Sequence, residues 1–357
     1  MLKTNGGCCL VGYARKKFTH DATVLLALTL LLSHSAAGTA ATAPAAARHY
    51  EHLAPAQAPF TPVRVLDTLN MPVETAGWTG WGTKTLFTGP AGEQLRILYV
   101  PPGAEGAKLH YHEFHEWAYN IAGDFTNNES TMPEQVYGPL QRFREGDFLS
   151  RPPHSLHGGE KGRMKWMASQ VGAEILIMEE KDAQRYSFTV DPDVRNDPAA
   201  AGEMRYNPDY VRIQHWETPR IIDTLDRMPW QPVAGTPGLN VKHLVDDPLH
   251  GFRADMWFLE KDAPGPTRLK AYYYRQANEF NYVIAGDLAI ETYARPGAQP
   301  VVVQLGKGFY VEHPAMSIMG LPATGATRTG AVWLQVTYAK EAHWSDTPAP
   351  IEAPLTP

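Results

Sequence analysis

The sequence predicts an all-β protein made of two similar barrels that follow one another along the chain. Four observations support this fold class. The chain has 357 residues, which exceeds the usual size of one domain. One sequence unit occurs twice, and short runs of β-branched and aromatic residues alternate with turn residues throughout. No helical period is sustained over many turns.

The N-terminal region has the pattern of a secretory signal, which we place at residues 1–41. Basic residues at 15–17 precede an apolar run at 22–32, and small residues follow up to Ala41. The run is short for a membrane span, and an uncleaved anchor is the alternative interpretation. Residues 42–62, rich in Ala and Pro, are predicted to be a flexible lead-in.

Export to the periplasm or outside the cell would restrict the chemistry of the mature chain. Both cysteines, Cys8 and Cys9, precede the expected cleavage, so disulfides and thiolate metal ligands would be absent. The remaining 28 basic and 37 acidic residues give a formal charge of −9. This charge disfavours nucleic acid as a partner. We expect a small-molecule substrate and no stable membrane anchor after cleavage, and a homo-oligomer stays open.

The internal repeat sets the expected domain boundaries. The segment that begins Arg64-Val-Leu-Asp-Thr-Leu reappears as Arg220-Ile-Ile-Asp-Thr-Leu, and Tyr119-Asn-Ile-Ala-Gly-Asp reappears as Tyr282-Val-Ile-Ala-Gly-Asp at nearly the same offset. Gly146 and Gly308 start a third match. The predicted parts are a first barrel at 63–180, a connecting segment at 181–219, a second barrel at 220–342 and a Pro-rich tail at 343–357.

Two motifs in the first repeat contain the candidate site. The first is His110-Tyr-His-Glu-Phe-His-Glu116 followed by Gly123, and the second contains Gly146, Pro152 and His157. Their spacing resembles the two sequence motifs of the cupin family, although the leading glycine of the first motif stands two residues closer to His110. The motifs cover about residues 106–160, and the repeat extends the resemblance to the second barrel. It implies two tandem cupin double-stranded β-helix (jelly-roll) barrels.

The resemblance implies one metal ion bound by His110, His112, Glu116 and His157. Residues two apart in a strand face the same side, so His110 and His112 can both point inward. Three imidazoles and one carboxylate suit a borderline divalent ion, with Fe or Mn favoured and Zn, Ni or Co as alternatives. Protons should compete with the metal near pH 6.5, where unperturbed histidine titrates.

The second repeat is predicted to lack metal ligands. Alignment of Gly286 with Gly123 and of Gly308 with Gly146 places Tyr273, Arg275, Glu279 and Met319 opposite the four ligands. Tyr and Met are poor ligands for such an ion, and the fixed charge of arginine repels one. An Arg275–Glu279 ion pair in place of the metal, or an arginine that binds an organic anion, are the two expectations for this barrel.

Other residues of the first barrel are candidates for catalysis. Glu116, Arg96 and Tyr119 are the predicted catalytic residues, because a carboxylate can act as a base and an inward guanidinium would orient a carboxylate or phenolate substrate. Tyr99, Phe114 and Trp166 are further candidates for the barrel lining, although aromatic residues in strands more often belong to a core.

Three functions remain open from the sequence. An oxygen-dependent dioxygenase is favoured, because such enzymes are common among the cupins that this site resembles. An oxygen-independent decarboxylase, lyase or isomerase would use the same ligands around a Lewis acid. A binding protein without catalytic activity is the third, because the fold alone does not determine function.

Overall fold

The structure is a computed structural model. It describes residues 61–76, 81–90, 92–106, 108–130, 139–158, 167–180, 186–190, 205–207, 209, 219–247, 252–265, 271–274, 277–295, 298–339 and 349–350. The predicted signal, both cysteines and Trp166 lie outside these ranges. None of the described helices is long and apolar enough to cross a membrane.

Regular structure in the described residues is almost entirely strand, as predicted. Helical structure in the described residues consists of a 3₁₀ turn at Thr68–Asn70 and of Tyr186, just before a strand. The first half of the chain contains β1 (Arg64–Asp67), β2 (Glu74–Ala76), β3 (Trp81–Thr88), β4 (Gln94–Val100), β5 (Tyr111–His112), β6 (Glu116–Asn128), β7 (Leu140–Arg144), β8 (Asp147–Arg151), β9 (Ala173–Glu179), β10 (Ser187–Thr189) and β11 (Arg205–Tyr206).

The second half repeats this pattern of short strands. It contains β12 (Arg220–Asp223), β13 (Gln231–Pro232), β14 (Leu239–Asp247), β15 (Phe252–Leu259), β16 (Tyr272–Tyr273), β17 (Ala277–Thr292), β18 (Val301–Gly306), β19 (Phe309–His313), β20 (Met319–Gly320), β21 (Ala331–Ala339) and β22 (Ala349–Pro350). Strand pairing follows one scheme in both halves. The order is β3-β4-β9-β6-β8 in the first and β14-β15-β21-β17-β19 in the second.

The first strand of each repeat pairs with the other repeat. Strand β1 pairs antiparallel with β19 in the second barrel, and β12 pairs antiparallel with β8 in the first. The repeated Asp-Thr-Leu segment follows each of these strands. Its threonine hydroxyl donates to a glycine carbonyl of the opposite barrel, at 2.6 Å from Thr68 to Gly308 and 2.5 Å from Thr224 to Gly146. The repeat therefore encodes two exchanged arms.

Apolar side chains form a core inside each barrel and a third cluster between the barrels. Leu98, Ala118 and Ile177 belong to the core of the first barrel. The cluster between the barrels combines residues from both repeats, including Trp117 and Phe252, whose rings stack at 3.6 Å. Full burial of one such side chain contributes about 1.5–3 kcal/mol to folding. Along β6, alternate residues therefore face the barrel interior and the other barrel.

Candidate metal centre

Three histidines that are distant in sequence meet inside the first barrel. His110 lies just before β5, His112 is the last residue of β5, and His157 lies in the segment that follows β8. The backbones of His110 and His157 form a bridge, with N–H to C=O hydrogen bonds of 2.8 and 2.9 Å. All three side chains are buried, and one nitrogen of each lies within 4.8 Å of the others.

Each histidine ring is fixed through its Nδ1 atom. His110 Nδ1 lies 2.6 Å from the carbonyl of Lys108, and His157 Nδ1 lies 2.8 Å from the carbonyl of Ser155. A carbonyl can only accept, so Nδ1 carries the proton in both rings and Nε2 presents its lone pair. His112 Nδ1 lies 2.7 Å from the Ser187 hydroxyl, while its buried Nε2 has no hydrogen-bond partner.

Glu116 lies beside this cluster and is joined to an arginine that the sequence analysis did not identify. One carboxylate oxygen, Oε2, is 3.2 Å from His112 Nε2, and the other, Oε1, accepts from Nη1 of Arg151. The Nε and Nη2 atoms of Arg151 donate to Glu129, with a shortest distance of 2.6 Å. All three charged groups are buried. They form a Glu116–Arg151–Glu129 triad.

Burial and the triad set the protonation of these groups. Burial, and secondarily the neighbouring His112, lowers the pKa of His110 to about 3. Burial and the charge of Arg151 hold the pKa of His157 well below its usual range. Burial alone would raise the pKa of Glu116, but Arg151 and His112 outweigh it and the pKa lies well below its usual value. His110 and His157 are therefore neutral imidazoles, and Glu116 is an ionised carboxylate, at neutral pH.

A second ion pair lies next to the triad. Glu179 on β9 is directly opposite Glu116 on β6, so their side chains share one face of the sheet. Arg96 Nη2 lies 2.6 Å from Glu179 Oε1, and the buried Glu179 Oε2 has no hydrogen-bond partner. Burial raises the pKa of Glu179, although Arg96 opposes the shift. Arg96 thus faces the barrel interior, but a carboxylate of the chain already binds its guanidinium.

Tyr119, a predicted catalytic residue, does not face the histidines. It lies three residues after Glu116 on β6, and an odd separation in a strand places two side chains on opposite faces. Its ring belongs to the cluster between the barrels, together with Trp117. The structure therefore does not bring Tyr119 to the histidines, and its catalytic role stays a prediction, because local patterns do not show which face of a strand lies inside a barrel.

The other predicted lining residues are divided between the two faces. Phe114 is buried and stacks on the His112 ring, with centroids 4.8 Å apart. Tyr111 points away from the histidines, as predicted, and stacks on Phe188.

Tyr99 packs against the cluster between the barrels. His115 stacks on Trp117 and lies 3.7 Å from Asp247 of the second repeat, away from the three ligand candidates.

The second barrel carries tyrosines at the two positions equivalent to His110 and His112. Tyr272 pairs with Met319 as His110 pairs with His157. The Met316 N–H donates to the Tyr274 carbonyl at 2.7 Å, as the His154 N–H donates to that of His112. The residues equivalent to His110 and His112 are therefore Tyr272 and Tyr274, and not Tyr273 and Arg275 as predicted. Met319 is equivalent to His157, as predicted.

A one-residue insertion explains this correction. The second barrel has five steps from Tyr274 to Glu279, where the first has four from His112 to Glu116. The carboxylate of Glu279 accepts hydrogen bonds from Tyr272 at 2.7 Å and from Tyr274 at 2.9 Å. Phenol hydroxyls thus occupy both oxygens of Glu279. Arg275 lies outside the described residues, and so does its predicted ion pair.

His154 in the first barrel and Met316 in the second lie at equivalent turns with the same unusual backbone conformation. The φ of His154 is 67°, and the equivalent Met316 has a φ of 70°. These are two of the three non-glycine residues with positive φ in the part of the chain described. Glycine adopts this conformation without the steric cost of a Cβ atom, which accounts for the glycine that the cupin motif often has here.

The paired sheets, the exchanged arms and the histidine cluster define the chain as a protein with the tandem cupin fold. Among solved structures, a mutant of the oxalate decarboxylase of Bacillus subtilis matches with a TM-score of 0.51 and 16% identity, over 80% of this chain and 78% of that one. The same enzyme at pH 4.6 matches with a TM-score of 0.51 and 16% identity over 84% and 80%. A structure from a study of the Mn(II) centres of that enzyme gives a TM-score of 0.51.

Neither a family model nor a curated protein matches the sequence. Similarity at 16% identity supports the fold of the chain and carries no information about its substrate.

Proposed function

We propose that the first barrel binds one divalent transition-metal ion through His110, His112, His157 and Glu116, and that the chain is a metal-dependent enzyme acting on a small organic acid. The observation that carries this proposal is the meeting of three buried imidazoles whose Nδ1 atoms are all engaged by oxygen partners. Such partners orient the rings and raise the basicity of the ligand nitrogen.

The residues fit a borderline divalent ion. His112 Nε2 is buried and lies 3.2 Å from Glu116 Oε2 without a well-formed hydrogen bond to it, an arrangement that an ion bound by both atoms would satisfy. Three nitrogens and one carboxylate oxygen suit Mn, Fe, Co, Ni or Zn better than Ca or Mg, which prefer oxygen alone. Mn is favoured by the fold relatives, since one of them was studied for its Mn(II) centres.

We assign different tasks to Glu116 and Glu179. A bound metal would supply Lewis acidity for a chelating carboxylate. Glu116 is ionised and serves as a ligand, because Arg151 lowers the pKa of this group. Glu179 is suited to carry a proton, because burial raises its pKa and its Oε2 atom is without a partner. Arg96 holds Glu179 in place through Oε1.

Decarboxylation is the reaction class that we favour over the oxidative cleavage expected from the sequence. In a decarboxylation the bond between carbon and carboxylate breaks, CO₂ leaves, and the remaining carbon takes up one proton. This chemistry needs a proton carrier beside the substrate, which Glu179 provides. The solved structures with the same fold described above are oxalate decarboxylases, whereas none of them supports a dioxygenase.

The test is turnover by the metal-loaded protein with a panel of mono- and dicarboxylic acids, measured as CO₂ release with simultaneous recording of O₂. We expect CO₂ release without stoichiometric O₂ uptake, lost in His112→Ala and retained in Met319→Ala. Stoichiometric O₂ uptake would instead establish the dioxygenase. Metal binding without turnover of any acid would contradict the enzymatic proposal.

A further inference from the structure

Arg151 occupies an unusual place for a cation, because it lies inside the barrel next to the site proposed for a metal ion. It ends β8 directly opposite Glu116, the first residue of β6, so the two side chains share one face. Arg151 is 6% exposed and Glu116 is 5% exposed. A buried guanidinium beside a divalent cation is repulsive unless carboxylates compensate both charges.

The hydrogen bonds of Arg151 show how the compensation is arranged. Nη1 donates to Glu116 Oε1, while Nε and Nη2 donate to the two oxygens of Glu129. The guanidinium fork therefore spans two carboxylates, which a lysine ammonium cannot do with the same geometry. Glu116 Oε2 remains on the side of His112, at 3.2 Å from its Nε2.

Glu129 connects the triad to the segment that contains His157, another ligand candidate. It is 1% exposed, and its backbone forms a bridge with that of His157. Asn127 Nδ2 also donates to its Oε1 at 3.2 Å. Burial raises the pKa of Glu129, while the charge and the hydrogen bonds of Arg151 oppose this shift. As a carboxylate, Glu129 gives the triad a net charge of −1. Without that charge, Arg151 would neutralise Glu116, and only the lone pairs of the neutral imidazoles would attract a cation.

We propose that Arg151 is a positioning residue that reserves one oxygen of Glu116 for the metal, and that Glu129 supplies the charge which prevents Arg151 from displacing the ion. This inference rests on the proposed metal site and deepens it. It predicts one-oxygen binding by Glu116, since Oε1 is already occupied. The second barrel offers a contrast, because His313 stands opposite Glu279 and two tyrosine hydroxyls occupy both oxygens of that carboxylate.

The experiment compares Glu129→Gln and Arg151→Lys with the wild type and with Arg142→Gln. Arg142 forms a 2.7 Å ion pair with Asp124 in the same barrel, but its side chain is 54% exposed, so this variant removes an arginine–carboxylate pair away from the histidines. For each purified protein, the dissociation constants of Mn(II) and Co(II) are measured by calorimetry. The visible spectrum of the Co(II) form and the thermal melting temperature are recorded alongside.

We expect Glu129→Gln and Arg151→Lys to bind each metal at least about tenfold more weakly and to show altered Co(II) ligand-field bands. Arg142→Gln should match the wild type in both. A purely structural role would change the melting temperature alone. Wild-type affinity and an unchanged Co(II) spectrum in folded Glu129→Gln would overturn the inference while leaving the metal site intact. Failure of the wild type to bind any of these ions would overturn the metal site itself, and the inference with it.

Discussion

Thr68 and Thr224 make the same hydrogen bond in opposite directions across the molecule. Each hydroxyl donates to the carbonyl of a glycine in the other barrel, Gly308 for Thr68 and Gly146 for Thr224. A buried lysine then donates to the carbonyl of each threonine, Lys84 to Thr68 and Lys242 to Thr224. The two barrels are therefore held together by symmetric arms rather than by the apolar cluster alone.

The first prediction concerns these arms. Thr68→Val keeps the shape of the side chain but leaves the buried Gly308 carbonyl with one donor fewer, so the free energy of unfolding should fall by about 1–2 kcal/mol. Thr224→Val should have a similar effect, because it removes the equivalent hydrogen bond to Gly146. Urea denaturation measures both. Thr292→Val is the control, because this threonine is only partly buried and its hydroxyl makes a long 3.4 Å hydrogen bond. It should change stability by less than about 0.5 kcal/mol. Equal effects at Thr68 and Thr292 would contradict the account of the arms.

The second prediction concerns the glycine of the repeated Ile-Ala-Gly-Asp segment. A Cβ atom on Gly123 would lie 1.9 Å from the Gly172 carbonyl oxygen, and φ is 77°. Gly123→Ala should therefore destabilise the protein by about 3 kcal/mol or more. Gly103 has a φ of 75° but no atom within 4 Å of such a Cβ, so Gly103→Ala isolates the cost of φ alone, about 1–2 kcal/mol. Thermal melting distinguishes the two, and equal losses would show that the close approach has no role.

The third prediction concerns acid stability of the metal-free protein. The pKa of His110 is lowered to about 3, against about 6.5 for an unfolded chain. A depressed histidine pKa favours folding above pH 6.5, and this contribution is lost as pH falls from 6.5 towards 3. The slope should be about 1.4 kcal/mol per pH unit for each such histidine. Between pH 6.5 and 4.5, His110→Gln should show a slope smaller by that amount than the wild type in denaturant titrations. An identical slope would mean that His110 is not buried as a neutral ring.

Burial also changes an expectation drawn from the sequence. Protons were expected to displace a metal near pH 6.5, but His110 and His157 stay neutral well below this pH in the folded chain. Acid release of the metal should therefore follow unfolding more closely than histidine titration.

The fourth prediction concerns export, which we propose on the basis of residues 15–41 alone. Protein from the native cell should lack Met1 and should begin downstream of the apolar run, as N-terminal sequencing would show. Leu26→Arg interrupts that run and should cause the precursor to accumulate inside the cell. If the protein accumulates in the cytoplasm of the native cell with Met1 retained, the proposal of export is wrong.

Local patterns predicted the strands and the meeting of the three histidines because both follow from short-range rules. Alternation along a strand places His110 and His112 on one side, and the motif spacing identifies His157. The same alternation places Tyr119 on the face opposite Glu116, but the inner face of β6 is known only from the structure.

Two features could not be derived from local patterns. The single-residue insertion between Tyr274 and Glu279 shifts the register, so an alignment with constant offset selects the wrong face for the tyrosines. Arg151 stands in a run of Ser, Arg and Pro that gives no sign of its partners. Its two partners are distant in sequence, because Glu116 is 35 residues away and Glu129 is 22 residues away.

The measurement that tests the central claim most directly is the metal content of the purified protein, by elemental analysis of the wild type, His112→Ala and Met319→Ala. The account predicts close to one transition-metal ion per chain in the wild type, almost none in His112→Ala, and an unchanged amount in Met319→Ala. Two ions per chain, or equal metal loss in the two variants, would contradict a single centre in the first barrel.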